Sequence, residues 1–377
     1  MLDYATYLTA ASVVFTCFLF WRLYRWQGAK LWLIPIFVLG TILAFGLPLY
    51  QVTEQYPALH DIIALCGQLW LAAVCFNFII FLGLELLRAM VWLYYRWLDG
   101  EGFDFLPPRR GVPLSLVLLL LLLGAGALEA QYIQVTNLGI QTQKLPRGIN
   151  AVRIAFVSDL HLGRFTGERT VQRLANIINE QNADLLIFGG DIVSGNMSGR
   201  QRESYLLSTA MPRYGSLGVL GDHEAMNDHR KNALPFLERS WVHIMRGEAL
   251  AAAGISVVGV DDPQVAKVQG STVHNPMLIL ERMPKERFTL LVKHQPDIQP
   301  DSVGFFDLQL SGHTRGGQIW PLKYFMEYLY GQKQGRLVQV EGENGTGLYY
   351  STTGVGFWRL PLRLFTRPEV VVIDLVR

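Results

Sequence analysis

Hydrophobic and polar positions divide this chain into two halves of different character. Up to about residue 130 apolar residues run together with sparse charge; beyond residue 150 charges recur at ordinary spacing. In the first half, four stretches carry no charge: Tyr4 to Trp21, Leu31 to Tyr50, Ile62 to Leu84 and Gly111 to Leu128. Each approaches the roughly 20 apolar residues that span a bilayer. Aromatic residues stand at several of their ends (Trp21, Tyr24, Trp26, Tyr50, Trp92), as interfacial belts do. Four such runs in succession predict four transmembrane helices within residues 1–130. The first has no basic flank, Asp3 being the only charge before it, so it does not read as a cleaved leader. Leu86 to Leu98 reads either as an interfacial amphipathic helix or as an extension of the third span.

The second half has α/β periods. Ala151 to Val157 reads as a short buried strand stopping at Ser158-Asp159. A helix follows, with Thr166 as its expected cap and apolar positions at Val171, Leu174, Ile177 and Ile178. Further strand-like runs end in Gly189-Gly190-Asp191, Gly221-Asp222-His223-Glu224, His294 and Gly312-His313. Residues 131–150, with weak strand-like alternation, read as a linker, and 151–377 as one domain.

Composition refines this picture little. A net charge of +2 gives no argument for a nucleic-acid partner. Cys17, Cys66 and Cys75 all lie in apolar runs and read as packing residues. The near absence of charge within the spans argues against a transporter or channel. Loop charge predicts orientation. Arg22, Arg25 and Lys30 follow the first span; Glu54 and Asp61, without Lys or Arg, follow the second; Arg88, Arg96, Arg109 and Arg110 follow the third. The positive-inside rule puts the first and third loops in the cytoplasm and the C-terminal domain outside it, in the periplasm of a Gram-negative cell.

Candidate chemistry lies at the strand ends, where open α/β sheets place their ligands. Each motif alone is a common turn. The ordered set of D-x-H, G-D, G-x-H-E, H and G-H-x-x-G-G is far more specific. It resembles the calcineurin-like metallophosphoesterase superfamily, with motifs DxH, GD, GNHD/E, H and GHxH, over about Asn150 to Arg377. GHTRGGQ resembles the GHTHGGQ signature of a membrane-associated branch. The resemblance implies two packed mixed sheets flanked by helices, an α/β domain, with a divalent-metal site of one or two ions between the strand ends. Carried over, it assigns Asp159 and His161 to the first ion, Asp191 as a bridge, and Asp222, His294 and His313 to the second. His223 would stand beside the leaving group as general acid or transition-state stabiliser. Mixed Asp/His ligation suits Mn, Fe or Zn.

Two positions depart from the family pattern. Asp222 replaces an asparagine, and Arg315 replaces the last histidine of GHxH. Arginine has no lone pair to offer a metal. It reads as a fork for a phosphate oxygen, as an ion-pair partner of Asp222 or Asp159, or as the mark of a decayed site. The expected function is metal-dependent hydrolysis of phosphomonoesters or phosphodiesters, with a lipid or cell-envelope substrate suggested by tethering. A nucleotide-sugar-lipid pyrophosphatase and a non-catalytic binding module of the same fold are the alternatives. Phe357 to Phe365, mixing aromatics, leucines and arginines, reads as ordinary packing or as a contact with lipid headgroups.

Overall fold

The computed structural model describes residues 13–21, 33–45, 57–100, 108–163, 165–225, 230–269, 275–357 and 360–377. The chain divides into two compact units, Met1–Ala125 and Gly126–Arg377.

The first unit is helical. Of the four expected spans, the described part of the first is helical over residues 13–21. The second appears as Leu33–Phe45, 13 residues, which is short for a bilayer by itself. The third lies within one helix of 43 residues, Pro57–Asp99. That helix runs unbroken through Leu86 to Leu98. The fourth lies in Pro108–Glu129, 22 residues. Among the described residues, one helix, Leu65–Leu98, is both long and apolar enough to cross a membrane. Gly40 packs against Trp70, and Gly67 against the Leu43 carbonyl, where any Cβ would collide. Small residues of this kind let apolar helices approach closely.

The second unit holds two six-stranded sheets. In sequence order the strands are β1 (Gln134–Gln141), β2 (Ala151–Val157), β3 (Leu185–Phe188), β4 (Ser216–Gly218), β5 (Val242–Ile244), β6 (Glu248–Ala252), β7 (Ile255–Gly259), β8 (Thr289–Val292), β9 (Leu308–Ser311), β10 (Leu337–Gly342), β11 (Gly345–Ser351) and β12 (Glu369–Val376). The sheet orders are β1-β12-β2-β3-β4-β5 and β10-β11-β9-β8-β7-β6. Strands β2 to β5 are mutually parallel, as are β7 to β9 and β11.

Alternate residues of β2 and β3 enter different cores. Ile154, Phe156, Leu185 and Ile187 face the second sheet. Ala155, Val157, Leu186 and Phe188 pack with Val171, Leu174 and Ile178 of the helix Glu168–Glu180. Burial on both faces explains why these strands read as continuous apolar runs. That helix starts differently from expectation. Its N-cap is the extended Gly167, without a side-chain bond, and Thr166 is buried one residue earlier.

The segment read as a linker contains β1, whose eight residues pair in parallel with β12. Strand β12 in turn pairs antiparallel with β2. Glu369 at its start is buried and accepts hydrogen bonds from Thr136, Tyr350, Thr352 and the Thr353 amide. One carboxylate thereby joins the two sheets.

Candidate metal centre

Five strands end on one cluster. Asp159 and His161 follow β2, Asp191 follows β3, Asp222 and His223 follow β4, His294 follows β8, and His313 follows β9. All seven are buried or nearly so. Asp159, His161, Asp191, His313 and Arg315 all take positive φ, between 48° and 70°. Side chains other than glycine seldom adopt this region, and each such residue costs of order 1 kcal/mol or more. Its concentration in one cluster marks a site where orientation outweighs local comfort. Gly190 supplies the close approach: a Cβ there would lie 2.6 Å from His294 Nδ1.

Glu224 organises two of the strand-end loops. Sequence reasoning quoted it within a motif and gave it no role. It is buried and accepts from the amides of Asp191 (3.0 Å), Val193 (2.8 Å) and Gly221 (2.8 Å). The loops after β3 and β4 are thus tied to a single carboxylate.

One side of the cluster consists of Asp191, Asp222, His294 and His313, whose ligand atoms lie within 4.8 Å of one another. His294 Nδ1 meets the Gly189 carbonyl at 2.7 Å. A carbonyl only accepts, so Nδ1 carries the proton and Nε2 presents its lone pair inward. That nitrogen lies 3.4 Å from both Asp191 Oδ2 and Asp222 Oδ1. His313 Nδ1 lies 3.3 Å from Asp222 Oδ1. Both carboxylate oxygens are buried without a hydrogen-bond partner. Converging lone pairs of this kind call for a cation. Burial pulls the His294 pKa down, but Asp191 and Asp222 push it well above its ordinary value, a proton standing in for that cation. The donors therefore fit a divalent metal.

The other side is occupied by Arg315. Its Nη1 lies 2.8 Å from His161 Nε2, 3.3 Å from Asp159 Oδ1 and 3.7 Å from Asp191 Oδ2. Of the two carboxylates proposed as its partner, the ion-pair contact is with Asp159. Burial acts to raise the Asp159 pKa, but His161, His294 and Arg315 outweigh it and hold the carboxyl below its usual range.

Sequence reasoning missed Ser194. Its Oγ contacts His161 Nδ1 and lies 3.1 Å from His223 Nδ1. Burial lowers the His223 pKa to about 4 against the opposing charge of Asp191, so this imidazole is neutral at pH 7.

Arg363 is also structural. It lies fully buried and donates to the carbonyls of Thr353, Gly354, Gly356, Thr366 and Arg315. The lipid-headgroup reading of Phe357 to Phe365 therefore fails for this arginine. Asp261 pairs with Arg246 at 2.9 Å, and Asp262 accepts from the Gln264 amide at the start of a helix. His243 pairs with Glu248 at the surface; His229 and His274 lie outside the described residues.

Residues 152–315 match the calcineurin-like phosphoesterase family. An uncharacterized metallophosphoesterase of Aquifex aeolicus is 30% identical over 257 residues, 67% of this chain and 96% of its own. The chain is a calcineurin-like metallophosphoesterase. A "transmembrane protein with metallophosphoesterase domain" of Danio rerio is 27% identical, over 71% of this chain and 63% of its own. A crystallised dimetal phosphatase from Danio rerio aligns with 55% of this chain and 88% of its own, at 12% identity and a TM-score of 0.34. As a metallophosphoesterase the chain is a hydrolase of phosphoester bonds, in a family that uses divalent metals, and a buried Asp/His group able to hold one is present.

Proposed function

We propose that this metallophosphoesterase is an integral membrane enzyme that hydrolyses phosphoesters of amphiphilic molecules, with its catalytic domain on the extracytoplasmic side. The observation that carries the catalytic reading is the pair of orphaned, buried oxygens on Asp191 and Asp222, facing His294. A binding module that had shed its metal would have no reason to keep such unsatisfied groups. Asp191, Asp222, His294 and His313 would hold the ion, with Mn, Zn or Fe matching the donor set. A divalent cation there supplies Lewis-acid polarisation of the phosphoryl group and acidifies water.

Proton placement follows from the side chains. An arginine only donates, so His161 Nε2 accepts from Arg315 and His161 Nδ1 carries the hydrogen. It donates to Ser194 Oγ, and Ser194 passes its own hydrogen to His223 Nδ1. His223 then holds its proton on Nε2, as a neutral hydrogen-bond donor to the charge that develops on a leaving oxygen.

Exposed apolar surface supports the membrane reading. Leu86, Met90, Leu93 and Trp97 project from the long helix, and Leu120 and Leu121 from Pro108–Glu129. In the second unit Trp320, Tyr324, Tyr328 and Phe365 are exposed. Tyr330, in the same helix as Tyr324 and Tyr328, meets the His313 ring edge-on at 5.8 Å. An aromatic surface beside the centre suits an acyl or prenyl chain.

The test uses the full chain in detergent. Metal-dependent hydrolysis of a generic phosphodiester is expected, with vesicle-embedded phospholipid preferred over its short-chain soluble analogue. Asp191→Ala should abolish turnover. Metal-independent turnover, or full activity in a folded Asp191→Ala protein, overturns the catalytic reading; equal rates on the two substrates overturn the amphiphile.

A further inference from the structure

We infer that one cation of this centre is built into the chain: Arg315 occupies the position between Asp159, His161 and Asp191, and a single divalent ion is held opposite by Asp191, Asp222, His294 and His313. The inference rests on the metal-dependent reading above and specifies its stoichiometry.

Position is the first argument. One atom, Arg315 Nη1, approaches His161 Nε2, Asp159 Oδ1 and Asp191 Oδ2 at 2.8, 3.3 and 3.7 Å. These are the donors that family resemblance assigns to the first ion. A guanidinium cannot ligate and does not deprotonate. A metal among the same donors would face a fixed like charge, so the two cations exclude each other.

The backbone is shaped for this placement. Arg315 itself has φ 51°, and Gly316 and Gly317 follow at 60° and 73°. The Arg315 carbonyl accepts from the Gln318 amide at 3.0 Å and from buried Arg363 at 3.3 Å. Thr314 Oγ1 is bonded to Gln334 Oε1, itself in a buried side chain. The turn that aims Arg315 inward is therefore held from three directions, and its side chain is only 15% exposed.

Charge is the third argument. Asp159, Asp191 and Asp222 contribute three negative charges. One divalent ion and one guanidinium contribute three positive charges, so the cluster balances. Asp222 thereby acquires a reason: the retained ion, deprived of a metal neighbour, keeps an anionic ligand where the family pattern has a neutral one. Arg315 would neutralise a phosphoryl oxygen but could not acidify water; that chemistry would have to come from an ion held by Asp191, Asp222, His294 and His313.

Reloading the chelator-stripped full chain with Mn²⁺ in detergent decides the matter by equilibrium dialysis and electron paramagnetic resonance. The wild type is expected to bind one ion per chain with the six-line spectrum of isolated Mn²⁺. Arg315→His should bind two, with the lines broadened by exchange coupling. Two ions in the wild type overturn this inference and leave the metal-dependent reading standing; none overturns both. A folded Arg315→His protein that still binds one ion also overturns it. The wild-type count needs no variant and decides even if Arg315→His fails to fold.

Discussion

At the scale of single residues, the decisive groups are those that fix where hydrogens sit. Ser194 links two histidines that the sequence named separately. Ser194→Ala removes the donor to His223 Nδ1, releasing that ring to either tautomer. A fall in kcat of about tenfold to a hundredfold is expected, with KM little changed and Mn²⁺ binding intact. A variant whose kcat is unaffected would refute the relay, and lost metal binding would show a structural role instead. The metal-associated residues were legible because each is a polar residue stopping an apolar run, in a recurring order. Ser194 was not legible: a serine after a strand is an ordinary turn residue. Arg363 was hidden by its leucine-rich surroundings, and only the convergence of five carbonyls shows what it does.

Among the elements, the helix Pro108–Glu129 has the most consequential end. Its Gly126 carbonyl accepts from the Arg363 amide at 2.9 Å. The Glu129 carboxylate accepts from the amides of Phe365 (3.0 Å) and Thr366 (2.9 Å). The loop that carries buried Arg363 is therefore fastened to the last turn of an apolar helix. Glu129→Ala should remove two charge-assisted bonds, each worth roughly 1.5–3 kcal/mol in a closed site and less where solvent reaches it. Hydrogen exchange at Phe365 and Thr366 should accelerate at least tenfold, while the β2 and β3 amides stay protected. Unchanged exchange at those two amides would remove the fastening role. Central strands were plain in the sequence because burial on both faces makes them apolar throughout. Strand β1 was not, since its burial is partial and its partner lies over 200 residues away, beyond the reach of any local pattern. The cap at Gly167 escaped for another reason: Thr166 is a good capping residue by type, but its side chain is buried instead.

On the scale of the whole molecule, loop charge sets the expected orientation. Arg22, Arg25 and Lys30 on one loop and Arg88, Arg96, Arg109 and Arg110 on another oppose a loop bearing only Glu54 and Asp61. An alkaline phosphatase reporter fused after Arg377 should be active, and a fluorescent reporter that matures only in the cytoplasm should stay dark. The reverse result would turn the domain inward and favour a pyrophosphatase acting on cytoplasmic substrates. Strand β12 bears on when the domain can close. It fills the slot between β1 and β2, so β1 has no neighbour to pair with, and β2 stands at an edge, until residues 369–376 have been made. A ribosome that has reached Pro368 has already produced every residue of the metal centre, yet Glu369, which draws the two sheets together, is still to come. Vectorial synthesis thus separates making the reactive groups from assembling them. On the topology proposed above, the first sheet would still lack β12 while most of the domain crosses the bilayer, so its closure would fall at the end of transit.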